Sequence, residues 1–438
     1  MARGTYLPIT PTGVSIRMRR DFLKLCSLAG LGFSLPVQSA RTSAEPYAGP
    51  FYVVFNASGG WDTTYLMDPK GVNGINRLYK EDAILEHGPF KVAPTEGRFE
   101  QGMSNEDFFK RYGEELLVLN GLDYSINNHT PCMRYMATGK LDSLVYPTFA
   151  ALVASCKGSD CPLAFLTFGN YSNSGNLVPM SRVPYLPSLK LLANADGVHG
   201  NPKAPYNDAF VNDRIDQALR EQLDLRLSAD LLPRTERAQN MLFGAQISSK
   251  ALKRVAPFIP DRVPKGRLEQ QAEIALAAFR AGVAVSANLN IGQFDSHANN
   301  DRDQMKLIPE FLGGIDYFMR RAEEHGIRDK VVVVIQSEMG RTPHYNQGEG
   351  KDHWSIGSIM FMGQGIRGRR MLGATGTKQE LIPLNPKTLA VDIEKGIRVR
   401  PEHIHRALRE HAGIQEHAAS KRFPITVDAG SELSGLFA

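Results

Sequence analysis

The chain of 438 residues predicts an α/β fold: a mostly parallel sheet flanked by helices on both faces, with a helical insertion. Three observations predict it. Short apolar, often β-branched runs recur at 52–56, 116–119, 164–168, 283–289, 331–335 and 356–362, and runs of that kind read as strands buried on both faces. A segment of helical periodicity lies between the runs at 283–289 and 331–335, so the three form a β-α-β unit with a right-handed crossover. Several runs break abruptly into acids, histidines and turn residues. An open α/β sheet places ligands in this way, at the carboxyl ends of its strands.

Taken in order, Tyr52-Val53-Val54-Phe55-Asn56 is the first strand, and it runs into Ser58-Gly59-Gly60-Trp61-Asp62. Residues 65–114 read as mixed loops and helices, with a helix around 108–112, and the second strand, 116–119, follows. Asn127-Asn128-His129-Thr130-Pro131 opens a helix that reaches Thr138-Gly139-Lys140; Pro131 suits its first turn and Gly139 its stop. After the strand at 164–168, residues 170–205 are rich in Asn, Ser, Pro and Gly, as a long connection or lid would be. Helices at 214–227 and 237–247 complete an insertion over about 170–265, and Ile215, Ala218, Leu219 and Leu223 share one face of the first. A strong helix at 268–281 stops at Gly282 before the strand at 283–289. The next helix is expected to start with Pro309 in its first turn, to keep Leu312, Ile315, Met319 and Ala322 on one face, and to close at His325-Gly326. The strands at 331–335 and 356–362 follow, then loops with a hairpin over 366–400, a helix at 401–411 and a tail from 426. The main domain spans 45–425, and no internal repeat is present.

Net charge is +5, but its placement removes the case for nucleic acid. Arg3, Arg17, Arg19, Arg20, Lys24 and Arg41 face only Asp21 within residues 1–44, so the remaining chain is neutral. The run Arg19-Arg20-Asp21-Phe22-Leu23-Lys24, followed by an Ala/Gly/Leu-rich stretch to Val37, resembles a twin-arginine export signal. That stretch is too short and too weakly apolar for a membrane span, so an integral membrane protein is not expected. Residues 1–44 are thus expected to be a leader handed to the twin-arginine translocase, with translation starting at Met18 and the protein periplasmic or secreted. Three cysteines remain, and Cys156 and Cys161 are spaced to close a small disulfide loop in an oxidising compartment.

The strand ends carry the chemistry. Asp62, Asp295 with His297, Glu338, and His353 beside Asp352 all fall where parallel strands share one edge, and His129 opens the helix after another strand. Asp, Glu and His together suit a divalent ion, Zn²⁺ above all, with Mn²⁺ or Mg²⁺ as alternatives. Asp62, Asp295, His297, Glu338 and His353 are the expected ligands. A helix N-terminus at His129 and Thr130 favours an anion, and Arg341 is a further candidate for holding one.

In this order the motifs resemble the twin-arginine-exported bacterial family called domain of unknown function 1501, placed in the alkaline phosphatase and sulfatase superfamily. They are Asp62 after a strand, His129-Thr130-Pro131 with Thr138-Gly139-Lys140, Asp295-Ser296-His297, Ser337-Glu338-Met339-Gly340-Arg341-Thr342-Pro343 and Lys351-Asp352-His353-Trp354. The resemblance implies an alkaline phosphatase-like sheet and a metal-dependent hydrolase acting on an anionic small-molecule or glycan ester of phosphate or sulfate. It sets His129 at the nucleophile position, where it could attack phosphorus, bind a metal or hydrogen-bond the substrate, with Thr130 as the alternative nucleophile. The departures are specific. His129 replaces the Cys, Ser or Thr of the superfamily, Met133 stands where an Arg is expected with Arg134 one place on, and Met339 stands where a second-site ligand is expected. They leave open a non-catalytic relative that serves as an exported binding or assembly protein. A Ser/His hydrolase lacks its Gly-x-Ser-x-Gly elbow.

Overall fold

A computed structural model describes residues 45–72, 74–95, 101–169, 171–228 and 252–438. The expected leader and the helix at 237–247 lie outside the described residues.

The strands are β1 (Phe51–Ala57), β2 (Leu85–His87), β3 (Phe90–Val92), β4 (Leu117–Asp123), β5 (Phe165–Thr167), β6 (Met180–Ser181), β7 (Ser286–Ile291), β8 (Val331–Gln336), β9 (Gly340–Arg341), β10 (His353–Trp354), β11 (Ile356–Gly363) and β12 (Arg370–Leu372). Eight of them form one sheet in the order β12-β4-β11-β8-β1-β7-β5-β6. β1 pairs in parallel with both β7 and β8, with Asn56 opposite Asn290 and Gln336. The one antiparallel member is β11, which runs against β4 and β8. Its direction corrects the simple reading of strand ends. The start of β11, not its end, lies on the carboxyl edge of its neighbours, so the residues just before it arrive there.

The alternation of the strands explains the layers. Phe51, Val53 and Phe55 face one buried cluster with Val331, Val333 and Ile335, while Tyr52 and Val54 face the other with Val332 and Val334. Successive side chains of a strand point to opposite faces, so a continuous apolar run is the pattern that two covered faces demand. Helices Arg267–Arg280 and Asn300–Glu324 cover the first face through residues such as Phe279, Leu312 and Phe318. Helices His129–Thr138, Phe149–Lys157 and Pro401–His411 cover the second through Met136, Leu152 and Ile404. The fold class read from sequence is therefore the one present.

Several elements differ from expectation. The Asn300–Glu324 helix starts well before Pro309, which sits inside it. Proline forfeits one i→i−4 bond there, but Met305, Leu307 and Ile308 on the same helix are buried, and their packing holds the turn. β7 begins at Ser286 because the Val283 amide still donates to Ala278 O at the end of the preceding helix, at 3.0 Å. Helix Phe149–Lys157 has no amphipathic period to betray it, since Phe149 to Ala154 are all buried. Residues 65–114 hold an unanticipated hairpin, β2–β3. The insertion places β6 on the sheet edge and carries helices Leu186–Ala193 and Ala209–Ser228; Phe210 and Ile215 of the latter are exposed. The segment after 426 is docked rather than loose: Leu433, Leu436 and Phe437 are buried, and Phe437 packs edge-on against Phe361. Cys132, Cys156 and Cys161 are free thiols, so the Cys156–Cys161 disulfide is not formed. Burial pushes the Cys161 thiol up to about 11.

Candidate metal centre

Three loops and one helix start meet at the carboxyl edge. Asp295 and His297 follow β7, Glu338 and Arg341 follow β8, His353 precedes β11, and His129 is the first residue of the helix after β4. Gly139 ends that helix in the left-handed conformation, φ 72°, as its sequence required.

The three histidines share one arrangement. His353 Nδ1 lies 2.9 Å from Asn127 O; a carbonyl only accepts, so Nδ1 carries the proton and Nε2 a lone pair. His297 Nδ1 donates to Asp352 Oδ1 at 2.9 Å. His129 Nδ1 donates to Glu338 Oε1 at 3.2 Å. All three Nε2 atoms turn toward Asp295. His297 Nε2 and His353 Nε2 stand 2.9 Å apart and lie 3.1 and 3.3 Å from Asp295 Oδ1, and His129 Nε2 lies 3.3 Å from Asp295 Oδ2. The ligand atoms of His129, Asp295 and His353 all fall within 4.8 Å of one another.

The Nε2 atoms of His129 and His353 and the Asp295 carboxylate gather at one place, with His297 Nε2 beside His353 and Asp295, and lone pairs so gathered repel each other unless a cation lies between them. Donors about 2.0–2.1 Å from a tetrahedral zinc ion stand roughly 3.3 Å apart, close to the spacings here. Metal-ligating histidines also characteristically donate their other N–H to a carboxylate or backbone carbonyl, as all three do. Two buried polar atoms at the centre, His129 Nε2 and Glu338 Oε2, have no hydrogen-bond partner. The residues present therefore fit a divalent ion of the zinc type.

The surrounding charges are fixed by burial. Arg341 is fully buried. It donates to Gly60 O at 2.9 Å, Lys351 O at 3.1 Å, Asp295 Oδ1 at 2.7 Å and Gly59 O. Burial works to raise the Asp295 carboxyl, but the Arg341 hydrogen bond and charge outweigh it and hold the group below the usual range. The hydrogen bond to Glu338 raises His129 above the ordinary imidazole value, whereas burial lowers His353. The His297 hydrogen bond holds Asp352 low. Glu338 Oε1 also accepts from Gly59 N at 2.6 Å. A Cβ at Gly59 would sit 2.5 Å from Asp295 N, and its φ is +119°, so this position requires glycine.

Of the expected ligands, Asp295, His297 and His353 converge, and His129, read from sequence as a nucleophile candidate, joins them. Glu338 stands behind His129, with Oε2 as the one uncommitted oxygen. Asp62 stays outside the cluster: its carboxylate pairs with Lys351 Nζ at 2.6 Å. Arg341, the expected anion holder, is fully buried, and its donors go to three carbonyls and the partly exposed Asp295 carboxylate. Thr130 is exposed at the second position of its helix. Arg134 bonds Leu141 O, and Met339 is buried in the core against Gly60. Sequence reasoning gave no role to Asn127 or Lys351, and it marked Asp352 only as the acid beside His353 at a strand end, although Lys351 and Asp352 both stand in the Lys351-Asp352-His353-Trp354 motif.

The molecule is thus an α/β protein with a three-histidine, one-aspartate centre at the edge of its sheet. The family profile described as "Protein of unknown function (DUF1501)" matches residues 189–408, half of the sequence. The chain belongs to that family. No curated protein matches it significantly. Among solved structures it is similar to the PsFucS1 sulfatase from Pseudoalteromonas sp., at 11% identity over 98% of this chain and 77% of that one, TM-score 0.39. It is similar to the alkaline phosphatase of the Antarctic bacterium TAB5, at 8% identity over 84% and 99%, TM-score 0.37. PH0037 from Pyrococcus horikoshii matches at 11% identity over 84% and 98%, TM-score 0.36. Likeness of that degree carries no argument about this chain, whose fold and site rest on its own topology and residues.

Proposed function

We propose that the protein is an exported, metal-dependent hydrolase of phosphate or sulfate esters, with His129, Asp295, His297 and His353 holding a divalent ion, zinc first. One observation carries this reading: three Nε2 lone pairs converge on one carboxylate while each ring's Nδ1–H is held by Glu338, Asp352 or the Asn127 carbonyl. A bound ion of this kind supplies Lewis acidity and a water of lowered pKa. The chain's own residues do the rest. Glu338, Asp352 and Asn127 fix the rings in the ligating tautomer. Arg341 fixes the Asp295 carboxylate from beneath. The helix that begins at His129 has no side-chain cap from Asn128, so its first-turn N–H groups face the anionic end of an ester at the same edge. Thr130 is the exposed hydroxyl beside the centre, and its substitution by Ala distinguishes a covalent route from direct attack of water. Export follows from the leader motif around Arg19-Arg20, and the N-terminal peptide of periplasmic protein, read by mass spectrometry, tests it.

The experiment is elemental analysis of the purified protein together with a panel of chromogenic phosphate and sulfate esters. Bound metal and turnover that vanish together in Asp295→Ala and His353→Ala are expected. Absence of metal, with turnover unchanged in both variants, would falsify the reading. The withdrawal of Arg341 from the surface favours a second reading, a protein that binds an envelope component without cleaving it. Retained metal, no turnover on any ester and a stable co-purifying partner would distinguish it.

A further inference from the structure

We propose that the centre takes a single divalent ion, and that the Lys351 ammonium is a built-in cation occupying the seat a second ion would need at Asp62. The inference rests on the metal reading above and deepens it. Asp62 follows β1 as Asp295 follows β7 and Glu338 follows β8, so on position alone it is a ligand. Its lone pairs are already taken. Oδ1 accepts from Thr64 N at 3.1 Å and Thr64 Oγ at 2.7 Å, and Oδ2 accepts from Asn300 Nδ2 at 3.0 Å and Lys351 Nζ at 2.6 Å. A carboxylate offers about four acceptor sites, and these four bonds use them.

Lys351 is built into place. Its side chain is 0% exposed, as is that of Asp62. Its ammonium lies 5.6 and 5.1 Å from the ring centroids of Tyr65 and Tyr345, within cation–π range. Its backbone is bonded on both sides, the amide to Ser296 O at 3.0 Å and the carbonyl to Arg341 Nη1 at 3.1 Å. A buried ammonium with its counter-ion and aromatic walls is costly to displace, because removing one partner leaves the other charge unpaired in the interior. Charge agrees with geometry. The carboxylates of Asp62, Asp295 and Glu338 face two permanent cations, Lys351 and Arg341, both buried. With the carboxylate of Asp352, which holds His297 Nδ1, two negative charges are left uncompensated, which one divalent ion balances and two would overshoot. Met339, at the position where a second-site ligand was expected, is buried against Gly60 and adds no hard donor.

The test counts metal. Full-length protein is equilibrated with zinc or with manganese, freed of excess, and measured by elemental analysis and native mass spectrometry. One ion per chain is expected, falling to none in His353→Ala. The double variant Asp62→Asn/Lys351→Met removes both charges of the pair together, so that neither is left unpaired, and is expected to keep one ion per chain. Two ions per chain in the wild type, or loss of the ion in the double variant, overturns the proposal while leaving the metal reading intact. No ion in the wild type overturns the metal reading itself, and the single-ion proposal with it. The variant Lys351→Met alone supplies an independent check: a second ion recruited to the freed Asp62 supports the proposal, and an unchanged melting temperature overturns it.

Discussion

At the level of single residues, the proposed centre depends as much on what stands behind each ligand as on the ligands. Asp352 and Glu338 hold the Nδ1–H of His297 and His129. Loss of such an outer partner typically weakens a metal site by roughly 10–100-fold. Asp352→Ala and Glu338→Gln are therefore expected to weaken zinc binding by about that factor, read by competition with a chromogenic chelator, while the fold persists. Arg341 acts differently. Fully buried itself, it donates to the Gly59, Gly60 and Lys351 carbonyls and reaches the partly exposed Asp295 carboxylate, so Arg341→Ala strips buried carbonyls of their donor and is expected to destabilise the protein by at least about 1–3 kcal/mol, measured by urea unfolding. A surface anion-holding arginine would instead alter KM and leave stability alone.

Among elements, legibility followed periodicity. The six long or central strands were readable because both faces are covered and their sequences are mostly apolar. Helix Phe149–Lys157 was not, because burial on all sides erases the helical period, and Pro309 pointed to a helix start that packing overrode. The direction of β11 could not be read from its residues, yet it is what returns His353 to the edge. The helix bearing His129 is held in register at its far end, where Gly139 is left-handed and a Cβ would meet the His405 ring at 2.6 Å. Gly139→Ala is expected to cost roughly 1–3 kcal/mol through backbone strain alone, and more if the His405 ring cannot move. Urea unfolding measures the loss, and a parallel fall in zinc affinity would show that the helix transmits it to His129.

For the whole molecule, the proposed metal and pH are the two levers. A ligand bound only by the folded state stabilises it by about 4 kcal/mol at a thousand-fold excess over Kd, so chelation is expected to lower Tm, with zinc restoring it. His405 supplies the pH dependence away from the centre. It is fully buried, its Nε2 donates to Met136 O at 2.8 Å, and burial depresses it to about 4. The folded state therefore keeps this ring neutral while the unfolded chain binds a proton below about 6.5. The unfolded state binds more protons between those values, so stability rises with pH across that window and is lost as pH falls from about 6.5 toward 4, by about 3 kcal/mol. Unfolding measured in chelator across this range, wild type against His405→Phe, checks it: the variant should show the shallower slope.

The sequence by itself determined the layered sheet and the edge at which Asp295, His297 and His353 meet, because strand burial and strand ends leave local, periodic marks. Only the tertiary structure decided how the charges are shared. Which acid meets the open point and which is tied to a buried lysine depends on contacts between residues as far apart in sequence as Asp62 and Lys351. No spacing rule records that pairing. The same is true of His129, whose motif left nucleophile, metal ligand and substrate contact all open, and whose orientation is set by Glu338, reaching it from another strand to hold Nδ1 and leave Nε2 facing Asp295.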